Sequence, residues 1–417
     1  MNIMKKIGYF LSIIFLVLGA QCQSGGERKV ASESPVLISN ISAETPWSER
    51  MALSEMYRNP QSWMIDAEAP KWNYTQGLVL MAIQRVGEAT GNDRYFQYAK
   101  SYADTMINAE GDILTYQLDN FNIDHINPGK ILFSLYKKTG EERYLKALQQ
   151  LRLQLTWQPR TTAGGFWHKR RYPWQMWLDG LYMGAPFYAE YAVRFNEPEA
   201  FADIAHQFVL MEERARDPKT GLLYHGWDES RVQRWSDPET GLSPHFWGRA
   251  MGWYAMALVD VLDFMPVDHP DRDKLPAILE RLATAVAKVQ DKDSGLWYQV
   301  LDKADEKGNY LEATASCMFV YSLAKAVNKG YLDEQYMTVA EKAYQGILDR
   351  LIEVEENGAV NLLQCCAVAG LGGSPYRDGS YQYYVGEPVI RNDPKGTGPF
   401  ILASLEMEKR SGRGAVR

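Results

Sequence analysis

The feature that most constrains this chain is a recurring pair of helix-length apolar runs joined by a short breaker. Residues 76–86 form an apolar run that ends in Glu-Ala-Thr-Gly-Asn-Asp-Arg-Tyr, and a second run follows over 94–107. The unit returns over 129–136 and 144–155, around Lys-Lys-Thr-Gly-Glu-Glu-Arg-Tyr. Gly91 and Gly140 stand 49 positions apart, with Arg-Tyr at the same offset after each. Looser copies pair 181–195 with 201–211, 253–264 with 275–289, and 317–327 with 336–352. A sixth pair joins 47–58 to 398–409, from opposite ends of the chain. A period of roughly 50 to 70 residues of paired helices means that each hairpin buries a face against its neighbours. The spacing predicts an all-α fold in which six hairpins close into an (α/α)6 toroid or barrel. An open helical solenoid is the alternative. No linker-like or low-complexity run interrupts the body, so 46–417 is expected to be one domain.

The loops between hairpins carry a second repeat. Gly-Gly-Phe-Trp-His (164–168), Gly-Leu-Leu-Tyr-His (221–225) and Gly-Leu-Trp-Tyr-Gln (295–299) each start on glycine, continue through aromatics and end on a polar side chain. Each follows an outer helix and precedes an inner one. They are predicted to be extended loops at one end of the ring, where a rigid scaffold commonly carries function. The densest is Phe-Trp-His-Lys-Arg-Arg-Tyr-Pro-Trp-Gln-Met-Trp-Leu-Asp-Gly (166–180), which sets Asp179 among aromatic and basic residues. The chain holds 12 Trp and 25 Tyr. They serve either a large aromatic core or the stacking walls of a sugar pocket. A net charge of −7 argues against a nucleic-acid binder.

If the inner helices run parallel, their N-termini gather at one rim, with positive dipole ends that favour anions. Asp124, Asp179, Arg249 and Glu312 lie at such starts. Asp179 and Asp124 each have a structural alternative as helix N-caps, Asn127 competing with the second. Two carboxylates across a pocket are also the usual apparatus of acid/base chemistry on sugars. His168 and His225 end equivalent loops and are expected to touch sugar. Arg249, between Trp247 and Trp253, is either half of a structural ion pair or a guanidinium fork for a uronate carboxylate. The six histidines show no H-x-x-H or H-E-x-x-H spacing, so no metal site is expected. Cys317 reads as a core residue, and adjacent Cys365 and Cys366 fit neither a zinc spacing nor a disulfide framework.

Lys5 and Lys6 precede an apolar run over 7–18, shorter than the about 20 residues of a membrane span. Residues 1–22 are expected to be a signal peptide, 23–45 a polar disordered segment, and the protein exported to a bacterial periplasm. Cys22 offers a site for a lipid anchor, although Gln21 before it is not the usual small residue.

Five stretches resemble a known family. They are WNYTQGLVLMAI (72–83), NIDHINPGKILFSLYKKTGEERY (122–144), GGFWHKRRYPWQMWLDGLYMGAPFYAEYA (164–192), HFWGRAMGWYAMALVDVLD (245–263) and YRDGSYQYYVGEPVIRNDPKGTGPF (376–400). Together they are similar to the unsaturated rhamnogalacturonyl and glucuronyl hydrolases of glycoside hydrolase family 105, related to family 88. The resemblance implies an (α/α)6 barrel with no cofactor or required metal. It implies removal of 4,5-unsaturated uronic acids from lyase-generated oligosaccharides, rhamnogalacturonan or pectin fragments among them, by hydration of the C4=C5 bond. Asp179 then matches the general acid/base and Asp124 its partner. Tyr74, His168, Lys169, Trp177, His225, Trp247, Arg249 and Trp253 match substrate-binding positions. Protonating carbon calls for Asp179 with a raised pKa, which an aromatic, desolvated wall would supply. Many members carry Asn where Met251 stands, so contacts or backbone support there are expected to differ. A monomer or weak oligomer is expected. The alternatives are a surface glycan-binding protein, an inverting hydrolase of the same fold, or a uronate lyase acting on saturated chains.

Overall fold

The structure, a computed structural model, describes residues 40–410 and residue 412. The expected signal peptide, Cys22 and most of the polar segment lie outside the described residues. Thirteen α-helices are described: α1 (Trp47–Arg58), α2 (Tyr74–Thr90), α3 (Asp93–Met106), α4 (Lys130–Thr139), α5 (Glu142–Trp157), α6 (Leu178–Arg194), α7 (Ala200–Ala215), α8 (Gly248–Leu262), α9 (Lys274–Lys288), α10 (Ala313–Asn328), α11 (Gln335–Arg350), α12 (Tyr381–Gly386) and α13 (Pro394–Arg410). A 3-10 segment, Ile123–Gly129, runs directly into α4.

The outer helices have one apolar face. α3 buries Tyr95, Tyr98, Ala99, Tyr102, Ala103 and Met106 and leaves the other side to water. The inner helices are buried all round, and every residue of α8 is covered. A helix of that kind needs partners on each side, and a ring supplies them. α2 packs on the Ile123–Gly129 segment, that segment on α6, α6 on α8, α8 on α10, α10 on α13, and α13 back on α2. Outside them lie α3, α5, α7, α9, α11 and α1, each against its own inner partner. The (α/α)6 ring is therefore closed, by the chain's two ends, and the open solenoid is excluded.

The repeated Thr-Gly has a local cause. Gly91 and Gly140 end α2 and α4 in the left-handed conformation, at φ 69° and 68°. Their N–H groups donate to Gly87 O and Tyr136 O, satisfying carbonyls that the helix leaves free. The Tyr that follows each, Tyr95 or Tyr144, is fully buried.

The rim loops dock in a way the sequence repeat did not reveal. Ile123 N donates to His168 O, Leu178 N to His225 O, Gly248 N to Gln299 O, and Ala313 N to Gln364 O. Each loop's polar residue thus sits over the start of the preceding inner helix, not the one it leads into. Gln364 is a fourth member of the series. Short strands tie the loops together: β1 (Gln175–Trp177) pairs antiparallel with β2 (Gly226–Asp228).

The polar segment expected to be disordered through residue 45 is ordered at its end. Ile41 is buried, its N–H donates to Asn357 O, and its carbonyl lies where a Cβ on Gly358 (φ 81°) would stand.

Candidate active site

The inner-helix starts meet at one mouth of the ring. Tyr74 opens α2, Asp124 lies in the 3-10 segment, Asp179 and Arg249 lie in the first turns of α6 and α8, Glu312 precedes α10, and Asp393 precedes α13. Not all of these groups are free for chemistry. Glu312 is an N-cap: one carboxylate oxygen accepts from Ala315 N at 2.7 Å and the Thr314 hydroxyl at 2.8 Å, the other from Cys366 N at 2.8 Å. Asp393 accepts from Lys395 N at 2.8 Å and from its Nζ at 2.9 Å.

Asp179 does not cap its helix. Trp177 holds the N-cap position without a side-chain bond, and Asp179 stands inside the first turn. Its Oδ2 faces His225 Nε2 at 3.2 Å. The pair is off-line for a good hydrogen bond. On the far side of the imidazole, Nδ1 lies 2.7 Å from the Tyr384 hydroxyl. Burial holds that phenol well above its ordinary pKa, so it stays a donor. A phenol that donates to Nδ1 leaves Nε2 to carry the ring proton, toward Asp179.

Asp124 is the second carboxylate. Asn122, not Asp124 or Asn127, caps this segment, accepting from Asp124 N at 3.2 Å, while Asn127 Nδ2 donates to Tyr74 O at 2.9 Å. Asp124 Oδ2 pairs with Lys169 Nζ at 2.5 Å, and Oδ1 lies 3.3 Å from His168 Nε2. Burial pushes its pKa up, but Lys169 and His168 outweigh that and hold it far below the usual range.

The raised pKa expected for Asp179 is not present in the free protein. Burial does push it up, as the aromatic wall suggested. The neighbouring His225, then His168, pull harder, and the net shift is downward. Asp179 is therefore an ionised carboxylate until something else arrives.

The remaining candidates sort into two layers. Asp179, Lys169 and Asp124 have side chains 14%, 14% and 11% exposed, and Tyr74 is partly exposed beside them. Behind them lie the others. Trp177 stacks on His168 at 4.4 Å and on Tyr172 at 5.1 Å, and meets His225 edge-on. Trp247 stacks on Tyr384, and its Nε1 donates to Gln299. Trp253 stacks on Tyr182 and meets Tyr74 edge-on, one layer below the mouth. His225, Trp247, Arg249 and Trp253 are all at most 1% exposed. Arg249 donates to Cys366 O and lies over Trp247, but it has no carboxylate within ion-pair distance among the described residues. Met251 is fully buried, and its sulfur lies 3.4 Å from Leu223 N. Its departure thus touches backbone support behind the loop, not the mouth.

Gly180, next to Asp179, has a steric role: a Cβ there would stand 3.0 Å from His168 Nδ1. Tyr384, Asp393 and Lys395 were missed by sequence reasoning. Asn-Asp-Pro ahead of α13 carries the usual signature of a helix start and marks the latter two. Tyr384 has no such signal, because α12 is short and reaches His225 only through the fold. For Tyr384→Phe we expect correct folding and a drop in kcat of about tenfold, the worth of one buried hydrogen bond. The pH profile should shift with it, because Nδ1 is then free to take the proton. An unchanged kcat and profile would show that Tyr384 merely fills space.

The fold has known counterparts. The model for Glycosyl Hydrolase Family 88 matches residues 47–411. The solved glycoside hydrolase from family 105 of C. acetobutylicum ATCC 824 is 50% identical, with a TM-score of 0.84, over 88% of this chain and all of that one. Protein Atu3128 of Agrobacterium fabrum is 40% identical over 230 residues, 54% of this chain and 97% of that protein. The unsaturated rhamnogalacturonyl hydrolase YesR of Bacillus subtilis is 29% identical over 296 residues, 70% of this chain and 78% of that protein. With the match running from the start of α1 to the end of α13, the chain belongs to glycosyl hydrolase family 88, and its half-identical solved relative sets it with family 105.

Proposed function

We propose that this protein is a glycosidase that removes a 4,5-unsaturated uronic acid from the non-reducing end of lyase-generated oligosaccharides, by hydrating the C4=C5 bond. The observation that carries this is the mouth itself. An ionised, partly exposed Asp179 backed by an imidazole shares it with a second ionised carboxylate and a buried Arg249 that has no carboxylate partner among the described residues. Asp179 is the acid/base. An incoming uronate adds a negative charge to the mouth, which raises the Asp179 pKa and draws a proton onto it. That proton goes to C4, and positive charge develops at C5. Asp179, now a carboxylate again, takes a proton from a water whose oxygen bonds to C5. The product is a hemiketal. It opens and releases the sugar formerly linked at C1. Asp124, held by Lys169 and His168, binds substrate hydroxyls, and the charge of Arg249 faces the uronate carboxylate.

Fragments of rhamnogalacturonan or pectin are the proposed substrates, supported by the likeness to YesR. Trp174 supports a further sugar position: it is 37% exposed, packs against Trp167, and holds an unfavourable φ of 65°. Export, with residues 1–22 as the signal, is proposed from Lys5, Lys6 and the apolar run after them.

Incubation with lyase-generated oligosaccharides, followed by the absorbance of the conjugated alkene, tests the proposal. The absorbance should fall as an unsaturated monosaccharide unit is lost and a shortened chain appears. A rise on intact polymer would mean a lyase instead. No change on the unsaturated fragments would leave glycan binding or hydrolysis of saturated chains.

A further inference from the structure

The opposite mouth of the ring holds a polar cavity of about 460 Å³, between the C-terminal halves of the inner helices. Its charged groups are paired with one exception. Arg85 binds Glu88 at 2.8 Å, Arg194 binds Glu190 at 2.5 Å and Lys409 binds Glu406 at 2.6 Å. Lys325 bridges Asp260 and Asp263 at 2.6 and 2.7 Å, and Lys329 takes the other oxygen of Asp263 at 3.2 Å. Five carboxylates thus meet five cations. Lys130 is the sixth cation lining the cavity. It is 8% exposed, and its Nζ has no hydrogen-bond partner among the described residues. The ammonium lies 3.8 Å from the centre of the Tyr182 ring, whose hydroxyl is also buried without a partner.

A buried ammonium facing only an aromatic ring is costly unless an acceptor completes it. The unpartnered ammonium in an otherwise charge-balanced wall defines where such an acceptor belongs. We propose that this cavity is a second ligand site, distinct from the carboxylate mouth, which takes a small oxyanion on Lys130 Nζ. A carboxylate and an inorganic oxyanion share that chemistry.

Burial pushes the Lys130 pKa down to about 7, with Asp260 and Glu190 opposing and Arg85 and Lys325 assisting. The other charged groups around the cavity, Glu88, Asp263, Arg194, Lys329, Glu406 and Lys409, are held in the ion pairs above. Binding an anion needs the charged ammonium, so affinity should weaken as pH rises through that value. Between about pH 6.5 and 8.5 the charged fraction falls by more than tenfold, and the apparent affinity falls with it.

Calorimetry with acetate and, separately, sulfate at fixed ionic strength tests this, because both stay anionic across that range. We expect saturable binding of at least one, which names the class, with the pH dependence above. Lys130→Met should abolish this pH-dependent binding, and Asp179→Asn should leave it intact. Selenate in crystals of the wild-type protein should give an anomalous peak beside Lys130 Nζ, a result that does not depend on any variant folding. The proposal fails if neither anion binds, if affinity is the same at both pH values, or if Lys130→Met binds as well as wild type. It also fails if Asp179→Asn loses binding, or if selenium is found only elsewhere.

Discussion

Asp179→Asn should lower kcat by roughly 10² to 10⁴-fold, the range seen when a positioned proton donor is lost, while the unsaturated oligosaccharide still binds. Asn keeps the shape of the side chain and the neighbourhood of His225, but it can neither deliver a proton to carbon nor activate water. Folding should survive, because Asp179 does not hold the N-cap position and Asn keeps an oxygen to accept from the residue's own backbone N–H. The ionised state of Asp179 in the free protein adds a pH signature. The proton must be gained on the way to the transition state, so kcat/KM should fall with rising pH by about tenfold per unit above the free-state pKa. Once the uronate is bound, its charge supports the protonated form, and kcat should hold to a higher pH than kcat/KM. Steady-state kinetics between about pH 4 and 9 would show both limbs. If the two profiles share one basic limb, the proton is not taken up with the substrate. If Asp179→Asn turns over at near wild-type rate, another group does the chemistry.

The ring was legible because its logic is local. Thr-Gly breakers, amphipathic outer helices and continuous apolar inner runs each follow from one hairpin, and the hairpins repeat. The inner-helix starts were less legible. Apolar periodicity alone set α8 from Trp253, and only the rim-loop pattern put a helix start at Arg249; the helix begins at Gly248. The missing turn, Gly-Arg-Ala-Met-Gly, holds a charge and glycines that hide the period, because it carries the site. Pairings across loops were not legible at all. Nothing in the local sequence says that His225 belongs over α6 and not α8, or that Tyr384 lies 159 positions away against its ring. The pKa of Asp179 was misjudged for the same reason. Desolvation can be read from neighbouring aromatics, but the two imidazoles that oppose it come from separate loops.

Those pairings make the role of Arg249 testable. Burial alone would lower its pKa, yet the surrounding acceptors, Cys366, Asp393, Glu312 and Tyr74, hold it above its ordinary value, so it is charged. The carboxylates of Glu312 and Asp393 are already spent on a helix cap and on Lys395. A buried guanidinium left in that state favours an anion in the mouth, and the uronate carboxylate is the one the substrate brings. Arg249→Met keeps much of the packing on Trp247 and removes the charge. It should cost about 2 kcal/mol or more in transition-state binding, at least ~30-fold in kcat/KM, expressed mainly as a higher KM. Structural damage would raise KM too, so the informative comparison is between the unsaturated uronate and its methyl ester. The ester has no charge for Arg249 to meet. Wild type should lose most of its advantage on the ester, and the variant should treat acid and ester nearly alike. An equal loss on both substrates would assign Arg249 to holding the Cys366 carbonyl and the mouth's shape, and recognition of the carboxylate would then fall to Lys169, a partly exposed cation in the mouth.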